Sequence, residues 1–168
     1  MSYVTLTQLA ELPGALELAQ VATDKGQRPV AAELMDATLR GGDRSAYAPA
    51  EIVRADAAAA RIQEAVTQAS AVMDGYLSKR YPLPLVESNP MLSTWARAIT
   101  RYQLHGDRIS DERSDPIARD YRDALRFLQL ISESKFHLGA NDPTTGTASM
   151  GDFIFHPGNK VFGRDRRP

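Results

Sequence analysis

The stretch PAEIVRADAAAARIQEAVTQASAVMDGYLSK, residues 49–79, decides the fold. After Pro49 it holds no proline, its only glycine is Gly75, and Ala55, Ala59, Ile62, Val66, Ala69, Met73 and Tyr76 advance in steps of three and four. That is the period of one helical face. At 1.5 Å per residue such a helix is roughly 45 Å long, more than the width of a compact domain of this size. Pro49 suits the first turn, where its missing N–H leaves no helical bond unmade. The run Ala57–Ala60 offers a smooth face that another helix, of this chain or of another subunit, can approach closely.

Towards the C-terminus, Tyr81-Pro82-Leu83-Pro84-Leu85 breaks the helix, because two prolines impose an extended link that carries apolar side chains. Asn89-Pro90 is an N-cap followed by a first-turn proline, and Leu92, Trp95, Ile99 and Tyr102 form an apolar stripe ending near Gly106. Ser114-Asp115-Pro116 opens another helix. Its buried face is Ile117, Tyr121, Ala124, Leu125, Leu128 and Ile131, with Arg119, Arg122, Asp123, Arg126 and Glu133 on the polar side.

Towards the N-terminus, Leu6, Leu9, Leu12, Leu16 and Ala19 recur at helical spacing, interrupted by Pro13-Gly14, which predicts two short helices. Val30 to Arg40 forms a further helix with Leu34 and Met35 on its buried side, stopped by Gly41-Gly42-Asp43. The fold class is therefore all-α, a small helical bundle with one long central helix, in which short connections favour antiparallel neighbours.

Beyond Gly139 the character changes. Residues 140–149 are polar and turn-rich without periodicity. Phe153-Ile154-Phe155 and Lys160-Val161-Phe162 then flank His156-Pro157-Gly158-Asn159, where Pro-Gly suits the centre of a turn. This reads as a short β-hairpin or hooked arm that needs a surface to lie on. The chain thus divides into an α-helical domain, residues 1–138, and a flexible linker with a C-terminal docking arm, residues 139–168.

Composition narrows the function. The 168 residues carry 20 Lys plus Arg against 21 Asp plus Glu, a net charge of −1, which removes the usual electrostatic argument for a nucleic-acid binder. The balance is uneven, since residues 160–168 hold four basic groups and one acidic, leaving −4 on the remainder. The absence of cysteine excludes disulfides, thiolate nucleophiles and iron–sulfur clusters. No apolar run reaches membrane-spanning length, and Met1-Ser2-Tyr3-Val4-Thr5 lacks the features of a signal peptide, so a soluble, unexported protein is expected.

His105, His137 and His156 share no helical face with a second ligand, so no metal or other cofactor is expected. No nucleophile elbow or glycine-rich phosphate loop is present, and no catalytic residue is assigned. A helix-turn-helix is excluded by the long, proline-rich link at 81–90. Arg97 and Arg101, four residues apart, read as a solvated face rather than a phosphate clamp.

The segment Asp74-Gly75-Tyr76-Leu77-Ser78-Lys79-Arg80-Tyr81-Pro82-Leu83-Pro84-Leu85 is less generic. With the following A-R-A-I-T-R-Y-Q-L-H helix, the later Asp120–Leu128 and the terminal Phe162-Gly163-Arg164-Asp165, it resembles the Mu-like phage and prophage head–tail connector family. The resemblance runs over most of the chain, with one departure, because residues 27–48 are longer than the family's short acidic loop.

The resemblance implies a structural virion protein and no enzyme. Such connectors form a ring, commonly of twelve copies, under the portal protein, extend the DNA channel and present a surface to a tail-side neck or tail-terminator protein. DNA passes through without sequence-specific binding, no membrane is involved, and assembly takes place in the host cytoplasm. In that setting Phe153, Ile154, Phe155, Val161 and Phe162 are expected to dock on a partner while Arg164, Arg166 and Arg167 pair with its acidic groups. The alternative is a small DNA-binding module using the basic C-terminal end.

Overall fold

A computed structural model describes residues 2–85 and 89–139. The expected arm, with Phe153, Ile154, Phe155, Val161, Phe162, Arg164, Arg166 and Arg167, lies outside the described residues. Within them the chain is all-α and contains no strand: α1 Leu6–Leu9, α2 Ala15–Ala22, α3 Ala32–Arg40, α4 Pro49–Leu77, α5 Pro90–His105 and α6 Pro116–Ser132.

Helix boundaries follow local chemistry. Thr5 and Gln8 form a reciprocal capping box at α1, Asn89 accepts from the Met91 N–H at 2.9 Å to start α5, and Asp115 accepts from the Ile117 N–H at 2.7 Å to start α6. Pro49, Pro90 and Pro116 all occupy first turns. α3 ends at Gly41, whose φ of 70° is the left-handed conformation that glycine adopts without strain.

The 29 residues of α4 run along the bundle and pack against α2, α3, α5 and α6, with α2 also touching α5. Because four helices share its inner face, its buried sector is wide: Ala55, Ala58, Ile62, Ala65, Val66, Ala69, Ser70, Met73 and Leu77. The spacing pointed to Ala59 and Tyr76; both are rim positions, half-buried, while their neighbours Ala58 and Leu77 are inside. Each large aliphatic side chain buried here, such as Ile62, Met73, Ile99, Leu128 or Ile131, contributes about 1.5–3 kcal/mol. On the α5–α6 seam, Tyr102 stacks on Tyr121 with ring centroids 4.0 Å apart, and Trp95 stacks on Phe127 at 5.6 Å.

The two short N-terminal helices expected on either side of Pro13-Gly14 are α1 and α2, and between and beside them Leu12 and Leu16 are 57% and 62% exposed. The backbone at Leu12 (φ −147°, ψ 117°) leaves the helical region, and the Leu12–Pro13 peptide is cis. The helical phase restarts at Ala15, so α2 turns Leu18, Ala19 and Ala22 inward instead. The long 27–48 segment holds α3, which sends Leu34, Met35 and Leu39 into the core.

Candidate functional site

The segment that carries the resemblance, residues 74–85, closes α4 and leads to α5, and the two ends of the described body meet on it. Asp74 accepts a hydrogen bond from the Tyr3 hydroxyl. Burial first, then the adjacent carboxylate, pushes the Tyr3 phenol well above its ordinary value, so it remains a donor at every physiological pH. Leu77 is fully buried at the end of α4. Tyr76 is half-buried with the Lys79 ammonium 6.0 Å from its ring centroid.

Arg80 reaches in two directions: its guanidinium lies 5.6 Å from the Tyr81 ring centroid and a terminal nitrogen meets Nδ1 of His137. The Tyr81 ring is buried, and its hydroxyl accepts from the Leu138 N–H at 3.4 Å. Asn89 completes the joint. While its Oδ1 caps α5, its Nδ2 donates to the Leu138 carbonyl at 2.6 Å. Pro82 and Pro84 are exposed and Leu83 is half-buried, with a cis Leu83–Pro84 peptide. Gly75 is exposed and helical, and a methyl group there would meet nothing within 4 Å.

The sequence motif is thus a structural joint. It fastens the N-terminal segment through Tyr3 and fastens residues 137–138, near the C-terminal end of the described residues, through Arg80, Tyr81 and Asn89. Tyr3 and Asn89 belong to this joint as much as Asp74 and Tyr81 do. Asn89 was legible as a cap, but its second bond spans 49 residues and has no local signal.

A second polar cluster joins α2 to α5. Arg101 grips Glu17 bidentately at 2.5 and 2.7 Å, and Nε2 of His105 lies 3.0 Å from the same carboxylate. Burial alone would raise the Glu17 pKa, but the hydrogen bonds from Arg101 and His105 outweigh it and hold the carboxyl below its ordinary range. Arg101 therefore serves the fold, which argues against a phosphate clamp formed with Arg97. His137 belongs to the joint, and His156 lies outside the described residues.

An open groove of about 610 Å³ runs beside this cluster, lined in part by Asp24, Arg61, Gln103 and Arg108. Its arginines are tied down: Arg61 donates to the Ala22 carbonyl at 2.7 Å and pairs with Asp24, and Arg108 donates to the Gln20 carbonyl at 2.7 Å. They seat the loop between α2 and α3. Among the described residues no three His, Asp or Glu side chains come together to hold a metal, and no helix is long and apolar enough to cross a membrane.

Residues 3–156 match the family described as Bacteriophage Mu, Gp36. The chain belongs to the Mu Gp36 family. The match begins at Tyr3, takes in the whole joint and extends past the described body. Among Gp36 relatives, the Mu-like prophage FluMu protein gp36 of Haemophilus influenzae is 32% identical over 106 residues, 63% of this chain and 72% of that protein. Gene product J of Escherichia phage Mu is 26% identical over 92 residues, 55% of this chain and 62% of that protein.

Proposed function

We propose that this Gp36-family chain is a head–tail connector. Copies form a ring under the portal, extend the DNA channel and present a surface to the tail-side neck or tail-terminator protein, so that the protein resides at the head–tail neck of the virion. The observation that carries this reading is family membership over residues 3–156, in a family described from bacteriophage Mu. The form of the body supports it. A small all-α unit with one long helix suits side-by-side, heterologous packing that closes into a ring.

The polar groups of the body support a structural role as well. Arg61, Arg101 and Arg108 hold the fold's own carboxylates and carbonyls and are thereby engaged within the body. The C-terminal segment, with Phe153, Phe155, Val161 and Phe162 for buried area and Arg164, Arg166 and Arg167 for acidic partners, is the proposed contact to portal or neighbour.

The test is deletion of residues 140–168 followed by attachment to portal-bearing capsids. The truncated protein is expected to fail to attach, leaving heads that lose DNA. If it attaches and the heads keep their DNA, the arm has no docking role. If the intact protein neither binds portal-bearing capsids nor forms rings by electron microscopy, but binds duplex DNA with an affinity that collapses between low and physiological salt, the DNA-binding alternative replaces the connector.

A further inference from the structure

The seam between α5 and α6 ends in an aromatic face that the described residues leave partly open. Trp95 stacks on Phe127, and Phe136 meets both rings edge-on at 6.3 and 5.5 Å. Phe127 is 37% exposed, and Met91, one helical turn from Trp95 on α5, is 38% exposed. Large apolar side chains this open beside a packed aromatic cluster are a surface waiting for a cover.

The chain outside the structure starts at this face. Phe136 is part of the cluster, Leu138 is fixed to Asn89 two residues before Met91, and the remaining 29 residues leave from Gly139. They carry Phe153-Ile154-Phe155 after a 13-residue spacer, residues 140–152. A spacer of that length spans roughly 20 Å root-mean-square. The aromatic face begins within three residues of the exit, well inside that reach, so the local concentration of the apolar triplet over it is on the order of millimolar. The opposite end of α4, where Val53 is exposed, lies about 36 Å away along the helix.

We infer that in the free chain Phe153-Ile154-Phe155 folds back in cis onto the face formed by Met91, Trp95, Phe127 and Phe136. The contact covers the apolar segment until a partner takes it. It concerns the free chain and does not depend on the connector reading: a chain with no role in the neck would still make it, and a connector without it would still be a connector.

The chain has no cysteine, which gives a clean background for trapping. In the full-length protein, Met91→Cys with Ile154→Cys is compared with Ser78→Cys with Ile154→Cys. Ser78 is exposed, lies two residues before Arg80, which meets His137, and is on neither α5 nor α6, the helices that carry Met91, Trp95 and Phe127. The first pair is expected to close an intramolecular disulfide at least fivefold faster, at a rate unchanged by dilution. In a second measurement, Phe153→Ala with Phe155→Ala in the otherwise intact chain is expected to raise acrylamide quenching of Trp95, the single tryptophan, about twofold. Equal closure rates for the two pairs, or disulfides found only between chains, would overturn the inference, as would unchanged quenching.

Discussion

Two corners of this molecule that combine leucine, proline and glycine behave oppositely. At the 74–89 joint, Leu77 and Tyr81 are buried, and Asp74, Arg80 and Asn89 fasten both ends of the body. At the Leu12–Leu16 kink, two leucines of similar size stand in solvent at 57% and 62% exposure. The joint holds the string on which the resemblance was read, and the family match runs over both corners. In the described body the motif side chains Asp74, Leu77, Arg80 and Tyr81 serve internal fastening, while the kink turns its leucines outward.

The largest effect that would break this contrast comes from truncating one leucine at each corner. Leu77→Ala removes a side chain with no exposed area and is expected to cost about 2–5 kcal/mol. Leu16→Ala is expected to stay within about 0.5 kcal/mol of the parent. Urea unfolding of both variants decides it, and similar costs would mean that the kink is packed in solution.

Next in size is Tyr3→Phe. It keeps the ring and deletes the hydroxyl that donates to Asp74, with an expected loss of about 1–2 kcal/mol. A loss near zero in the same unfolding series would show that the N-terminal fastening contributes nothing, and would reduce the joint to its C-terminal half.

How much of this was open to reading depends on the range of each interaction. The helices were legible because their signals are local: Pro49 in a first turn, Asn89 and Asp115 as caps, Gly41 as a stop, and Trp95 with Ile99 on one stripe. The break at Pro13-Gly14 was legible, but the exposure of Leu12 and Leu16 was not, because the phase in which the helix restarts after the kink has no local signal. Ala59 and Tyr76 were favoured over Ala58 and Leu77 because a single stripe does not anticipate four helices packed on α4. The Tyr3–Asp74 and Arg101–Glu17 contacts span 71 and 84 residues, and no pattern in one sequence pairs them.

The Glu17 cluster supplies a smaller, pH-dependent effect that sharpens the contrast from a third position. Its carboxyl is held below the ordinary value of 4.5, so the unfolded chain takes up the proton first as pH falls. The stabilisation is whole above about pH 4.5 and is lost as the pH drops through the lower, folded value. Solvent screening limits it to about 1 kcal/mol. Glu17→Gln is expected to lower the melting temperature at pH 7 and to flatten its decline between pH 5 and 3. An undiminished decline would assign acid sensitivity to other carboxylates.

The smallest effect has the opposite sign and falls inside the motif itself. Gly75 is in the last turns of α4, has no positive φ, and a Cβ built on it meets nothing within 4 Å. No feature of the described chain requires glycine there, and glycine in a helix is less stable than alanine by about 0.5–1 kcal/mol. Gly75→Ala is therefore expected to raise stability by about 0.5 kcal/mol, the lower end because the position is near a helix terminus. If stability rises while assembly on portal-bearing capsids is unaffected, the motif is a joint throughout. If stability rises and assembly fails, Gly75 serves close approach of another molecule, and the fastening role of these residues would have its first exception within the motif.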